Sequence, residues 1–127
     1  MREYLFRGKE IDSGEWSEGS LWVHLGKPYI ITAANVVGYE VDPETVGQYA
    51  GVNVRGEKIL EGDIVKVTDK YNTSVIYIVE YFMGAFVLKQ LGVDYRVQFI
   101  DFHMRHYDFE IIGNIHDNPE LLREGGE

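Results

Sequence analysis

Fourteen glycines are spread through this 127-residue chain, and they cut it into pieces too short for long helices. Glycine tolerates the positive φ that tight turns need, so the spacing predicts many turns between short strands. The second half is the more regular. Ile64-Val65-Lys66-Val67 follows the turn Glu61-Gly62-Asp63. Val75 through Tyr81 is an apolar run bounded by Asn72-Thr73-Ser74 and Gly84, which suits a strand covered on both faces. Ala85 through Gln90 puts Phe86 and Leu88 on one side. Tyr95, Val97 and Phe99 alternate with Arg96 and Gln98, and Phe109, Ile111, Gly113 and Ile115 share a face of the last run. Five short strands over about 55 residues have the spacing of a small barrel or curled sheet. Closure would remove the edge strands that invite aggregation.

The first half predicts strands at Tyr4–Gly8, Leu21–Leu25 and Tyr29–Thr32, with turns at Asp12-Ser13-Gly14 and Gly26-Lys27-Pro28. Asp42-Pro43-Glu44 is a helix-start signature: a capping Asp, Pro at the first helical position and Glu in the first turn. Gly47 follows too soon for more than one turn. Asn118-Pro119-Glu120 repeats the pattern, so one helical turn there would lay Leu121 and Leu122 against the barrel, with Arg123 to Glu127 as a frayed tail. The fold expected is all-β: a small N-terminal β portion, residues 1–58, packed on a C-terminal SH3-like five-stranded barrel, residues 59–127, with short one-turn helices. The boundary falls in the polar bridge formed by Asn53, Arg55, Gly56, Glu57 and Lys58.

Composition narrows the function. There is no Cys, which excludes disulfides, Cys-ligated metal and Cys nucleophiles. The N-terminus is charged and has no apolar signal core, and no apolar run reaches the roughly 18 residues of a membrane helix. The Asn72-Thr73-Ser74 sequon therefore reads as a turn. Net charge is −9; residues 1–58 hold six basic and nine acidic side chains, and residues 59–127 hold six and twelve. Both portions are acidic and no basic cluster exists, which argues against direct nucleic-acid binding.

The residues that could carry chemistry have plainer readings. In Glu61-Gly62-Asp63, Gly62 permits a tight turn and Asp63 can accept from a nearby backbone N–H. The other reading is an acid pair or cation site, for which two carboxylates are too few. His103 and His106 are three apart and could bind metal on a helix, but no third ligand stands near them in sequence, so a solvated pair is expected. His24 and His116 read as isolated. Ser13, Ser17, Ser20 and Ser74 sit in no Gly-x-Ser-x-Gly elbow, and no phosphate-binding glycine loop occurs. Trp16, Trp22, Tyr29, Tyr49, Tyr81, Tyr95 and Tyr107 read as core more than as a partner surface. No catalytic, cofactor-binding or metal-binding residue is assigned, and no cofactor is expected.

Several stretches together carry a family resemblance. Phe6-Arg7-Gly8-Lys9, Gly14-Glu15-Trp16 with Gly19, and Val41-Asp42-Pro43-Glu44-Thr45-Val46-Gly47-Gln48-Tyr49 come first. Gln48-Tyr49-Ala50-Gly51-Val52, Ile59-Leu60-Glu61-Gly62-Asp63-Ile64-Val65 and Glu110-Ile111-Ile112-Gly113-Asn114-Ile115-His116-Asp117-Asn118-Pro119-Glu120-Leu121-Leu122 follow in order. The chain resembles the YopX family of phage and prophage proteins over nearly its whole length. Ala50 replaces that family's usual Thr, and Asn53–Glu57 departs from its linker. The resemblance implies an all-β protein of phage origin, with no catalytic residues to carry over; without Cys or an apolar signal core, the expected location is the cytoplasm of the bacterial host. The leading expectation is a non-catalytic accessory protein acting by protein–protein contact, self-association included. Two alternatives are an acidic decoy for a host nucleic-acid-binding protein and an enzyme with an unfamiliar site. The expected partner is a protein, with no direct nucleic acid and no membrane.

Overall fold

A computed structural model describes residues 4–99 and 107–125. The chain divides into two compact units, Met1–Gly51 and Val52–Glu127. In the first lie β1 (Phe6–Lys9), β2 (Trp16–His24), β3 (Lys27–Ile31) and β4 (Tyr39–Glu40); β5 (Gly47–Val54) runs through the division. The second holds β6 (Glu57–Leu60), β7 (Asp63–Thr68), β8 (Ser74–Phe82), β9 (Ala85–Gln90), β10 (Arg96–Gln98), β11 (Asp108–Asn114) and the helix α1 (Pro119–Gly125). One antiparallel sheet has the order β4-β3-β2-β1-β5-β6, the other β10-β9-β8-β7-β11. Among the described residues no helix is long and apolar enough to cross a membrane.

In the first unit β2 starts at Trp16, five residues before the strand expected at Leu21. Ser17-Glu18-Gly19-Ser20 has little strand character, but β1 pairs along it from Phe6↔Gly19 to Lys9↔Trp16. Cross-strand pairing overrides weak local propensity here. Beyond β1, Glu10 bridges Val41, and the Asp42 N–H donates to the Lys9 carbonyl at 2.8 Å. The single turn at Pro43–Thr45 forms as expected, with Asp42 Oδ1 accepting from the Glu44 N–H at 3.0 Å. Ile30 and Val41 are fully buried.

The second unit contains all five strands expected from the alternation, from Asp63–Thr68 to Asp108–Asn114. Barrel closure is a correction. Among the described residues no ladder joins β10 to β11, so the sheet is open. Alternation reveals which side chains face a core; it does not reveal whether the two outer strands hydrogen-bond, and β10 is only three residues long. Residues 53–58, read from sequence as a polar bridge, form the end of β5, a two-residue turn and the start of β6. Helix α1 is seven residues long, more than the single turn expected, and includes Arg123, which the sequence alone places in a frayed tail.

The core is aliphatic. Ile59, Ile64, Val65 and Leu88 are fully buried in the second unit, joined by Val79. None of the seven aromatics expected in the core is buried: Trp22, Tyr81 and Tyr95 are exposed, the other four half-buried. Tyr77 and Phe109 are the buried aromatics among the described residues. Short branched side chains fill the narrow space over a sheet face, and large rings reach past it to water.

Burial raises the Tyr77 hydroxyl above its ordinary pKa, with smaller contributions from Tyr95 and Tyr107. The folded state therefore holds this proton where the unfolded chain releases it. Stability is unaffected below the ordinary tyrosine value of about 10 and falls as pH rises above it. Thermal melts between pH 9 and 11.5 should show this loss, and Tyr77→Phe should reduce it. Equal alkaline slopes in both proteins would remove Tyr77 as its source.

Candidate interaction surface

The motif residues singled out in the sequence hold backbone. Asp63 is 3% exposed, and its Oδ2 accepts from the Leu60 N–H at 2.8 Å. Gly62, at φ +93°, donates from its N–H to the Val79 carbonyl and accepts from the Ile115 N–H at 2.9 Å. This one turn ties β6, β8 and the end of β11 together. The bond expected for Asp63 is present. The closing motif works similarly. Asn118 Oδ1 accepts from the Asn114 N–H, and Asn114 Oδ1 accepts from the His116 and Asp117 N–H groups. A Cβ at Gly113 would lie 2.5 Å from Asn118 Oδ1, so only glycine allows this approach.

His103 and His106 lie outside the described residues. Among the described residues no group of three or more His, Asp or Glu stands close enough to hold a metal ion. His24 is not isolated: its ring stacks on Trp22 at 4.8 Å. Ser13 and Ser17 both donate to the Glu10 carboxylate, and Ser74 pairs with Thr68. Beside Glu10 lies an open depression of about 370 Å³, lined by Lys9, Glu10, Ile11, Gly14, Asp42 and Pro43.

Three two-residue hairpin turns share one backbone form, with positive φ at both central residues: Leu25-Gly26, Arg55-Gly56 and Met83-Gly84. That pattern belongs to the type I′ turn, whose first position favours Asn, Asp or Gly. A long L-side chain there costs about 1–2 kcal/mol. Arg55 has a reason to be present: its Nη2 reaches Asp108 at 2.6 Å and Nη1 lies 3.6 Å from Glu110. The Asp108 hydrogen bond raises the Arg55 pKa. Among the described residues Leu25 and Met83 have no such reason, at 88% and 89% exposed.

The hairpins beneath these tips are stiffened by aromatic contacts. Trp22 meets Tyr29 across the β2–β3 pair at 5.3 Å. Tyr81 and Phe86 meet edge to face at 5.0 Å. The Arg96 guanidinium lies 3.9 Å above Phe82, held by Glu80 and Asp94. A further display is the loop after β3. Asn35 exchanges backbone bonds with Thr32, and its Oδ1 accepts from the Val37 and Gly38 N–H groups. Val36 and Val37 point outward from this braced loop, 76% and 74% exposed.

From sequence Leu25 ends a strand and the turn falls at Gly26-Lys27-Pro28, with Met83 not singled out; in the structure Leu25-Gly26 is the turn and β3 already begins at Lys27. The available signal was a long apolar residue directly before glycine, between two strand-forming runs. These features define an all-β protein that, among the described residues, displays apolar side chains on braced turns. The chain belongs to the YopX family: the family described as YopX protein matches residues 6–123. No curated protein matches the chain.

Replacing Asp63 with Ala strands the buried Leu60 N–H and should cost about 1–3 kcal/mol in denaturant unfolding. A loss below about 0.5 kcal/mol, the range of ordinary surface changes, would refute the turn role.

Proposed function

We propose that this protein is a non-catalytic accessory protein of a phage or prophage, working in the host cytoplasm through protein–protein contact, self-association included. The observation that carries the reading is the pair of apolar side chains, Leu25 and Met83, on left-handed turn positions in full view of solvent. Strain kept at an exposed position motivates a search for function there. Stiff hairpins support the reading too, because a preorganised tip loses little entropy on docking.

Charge favours a protein partner. Residues 1–51 carry four basic and eight acidic side chains, and residues 52–127 carry eight and thirteen, so both units repel phosphate backbones. We read the second unit as SH3-like in strand order: three consecutive hairpin-linked strands follow β7, and β11 returns to its other side. Small sheets of this kind serve many unrelated functions, so the order supports an interaction module without naming a partner.

Leu25→Asn and Met83→Asn test the reading cleanly. Asparagine suits the turn, so each variant should gain about 1 kcal/mol of stability. The tagged double variant should lose the partners that the parent captures from phage-induced cells. Undiminished capture by that better-folded variant would refute contact through the tips. Release of a captured DNA-binding protein by added DNA would favour the decoy reading instead.

A further inference from the structure

We propose that the Leu25 tip of one copy docks into the depression beside Ile11 and Pro43 of a second copy. This rests on the protein-contact reading above and assigns one tip its occupant. Both surfaces belong to the first unit.

The tip is an apolar knob with a positive flank. Leu25 is 88% exposed, so it does not fill the depression of its own chain. The positive charge is that of Lys27, which pairs with His24 directly behind the tip at the strand ends. Lys27 differs from the other described basic residues of this unit. Arg7 and Lys9 lie over the Trp16 ring, at 4.8 and 5.5 Å, whereas Lys27 is exposed at the tip.

The depression offers the complementary features. Its volume of about 370 Å³ exceeds the roughly 150 Å³ that houses a benzene-sized guest, so a leucine side chain fits. Ile11, itself 54% exposed, and Pro43 supply apolar wall. Glu10 and Asp42 supply two negative charges against the one positive charge of Lys9, whose ammonium lies over Trp16. The Ser13 and Ser17 hydroxyls fix the Glu10 carboxylate, and the Glu44 N–H fixes that of Asp42. The acidic rim is thus set before docking, and the Lys27 ammonium would meet it as Leu25 enters. Contact through one knob and a charged rim is small, so the association should be weak and concentration-dependent.

Sedimentation of the full chain tests this, from about 10 µM to about 1 mM, the span of weak affinities. The parent should associate over this range. Leu25→Asn removes the knob and Ile11→Glu blocks the depression; each should weaken association at least about tenfold, as loss of a central contact does. Ile11→Ser serves as a second blocked variant should the glutamate disturb folding. Lys27→Glu should weaken association more at low salt than at high salt. An equimolar mixture of the Leu25→Asn and Ile11→Glu proteins should associate where neither does alone, because one keeps the depression and the other the knob. A parent that stays monomeric at about 1 mM, unchanged association in Leu25→Asn, or a mixture no better than its components would each overturn the proposal. If the parent is monomeric yet Leu25-dependent capture of another protein persists, the function reading stands and this docking falls.

Discussion

Left-handed backbone at Gly26, Gly56 and Gly84 sets the register on which both sheets depend. Each follows a residue that also has positive φ, and the pair turns the chain back within two residues. The twist of such a turn matches that of the strands it joins. Once His24 faces Lys27 and Phe82 faces Ala85, every later pair in those hairpins is determined. A slip of one residue would exchange the inner and outer faces, exposing Val79 and Leu88 and burying Glu80. Register, core and display are thus consequences of the same few dihedral angles.

Packing follows from that register. The inner faces hold mostly Ile, Val and Leu, and Tyr77 and Phe109 are the aromatics buried with them. Outside that core, Trp22 meets Tyr29, and Tyr81 meets Phe86, across their hairpins. Buried polar groups do similar work at the turns. The Asp63 carboxylate satisfies a backbone donor that the sheet leaves over, and Asn118 does the same for Asn114. The stretches that mark the family are therefore largely explained by backbone requirements. That explanation leaves the chemistry facing solvent to less conspicuous residues, Leu25 and Met83 among them.

Strands β7 to β11 were legible because alternation and glycine spacing both act over a few residues. The cap at Asp42 and the turn at Asp63 were legible for the same reason. The extent of β2 was not, since Ser17 to Ser20 become strand by pairing with β1, a partner distant in sequence. The strand–turn–strand at 53–58 was hidden because its polar residues look the same in a linker as at a hairpin end. The candidate surface was hardly legible at all: Leu25 reads as one more apolar strand residue until its φ and exposure are known.

By itself, then, the sequence determined the β class, the turns at Asp42 and at Glu61–Asp63, the absence of cysteine chemistry and the acidic exterior, because each depends on residue type and short spacing. Only the tertiary structure decided where the ladders end, that the second sheet is open among the described residues, and which apolar side chains stay outside. Those outcomes depend on hydrogen bonds and contacts between segments far apart in the chain, and no local pattern encodes them.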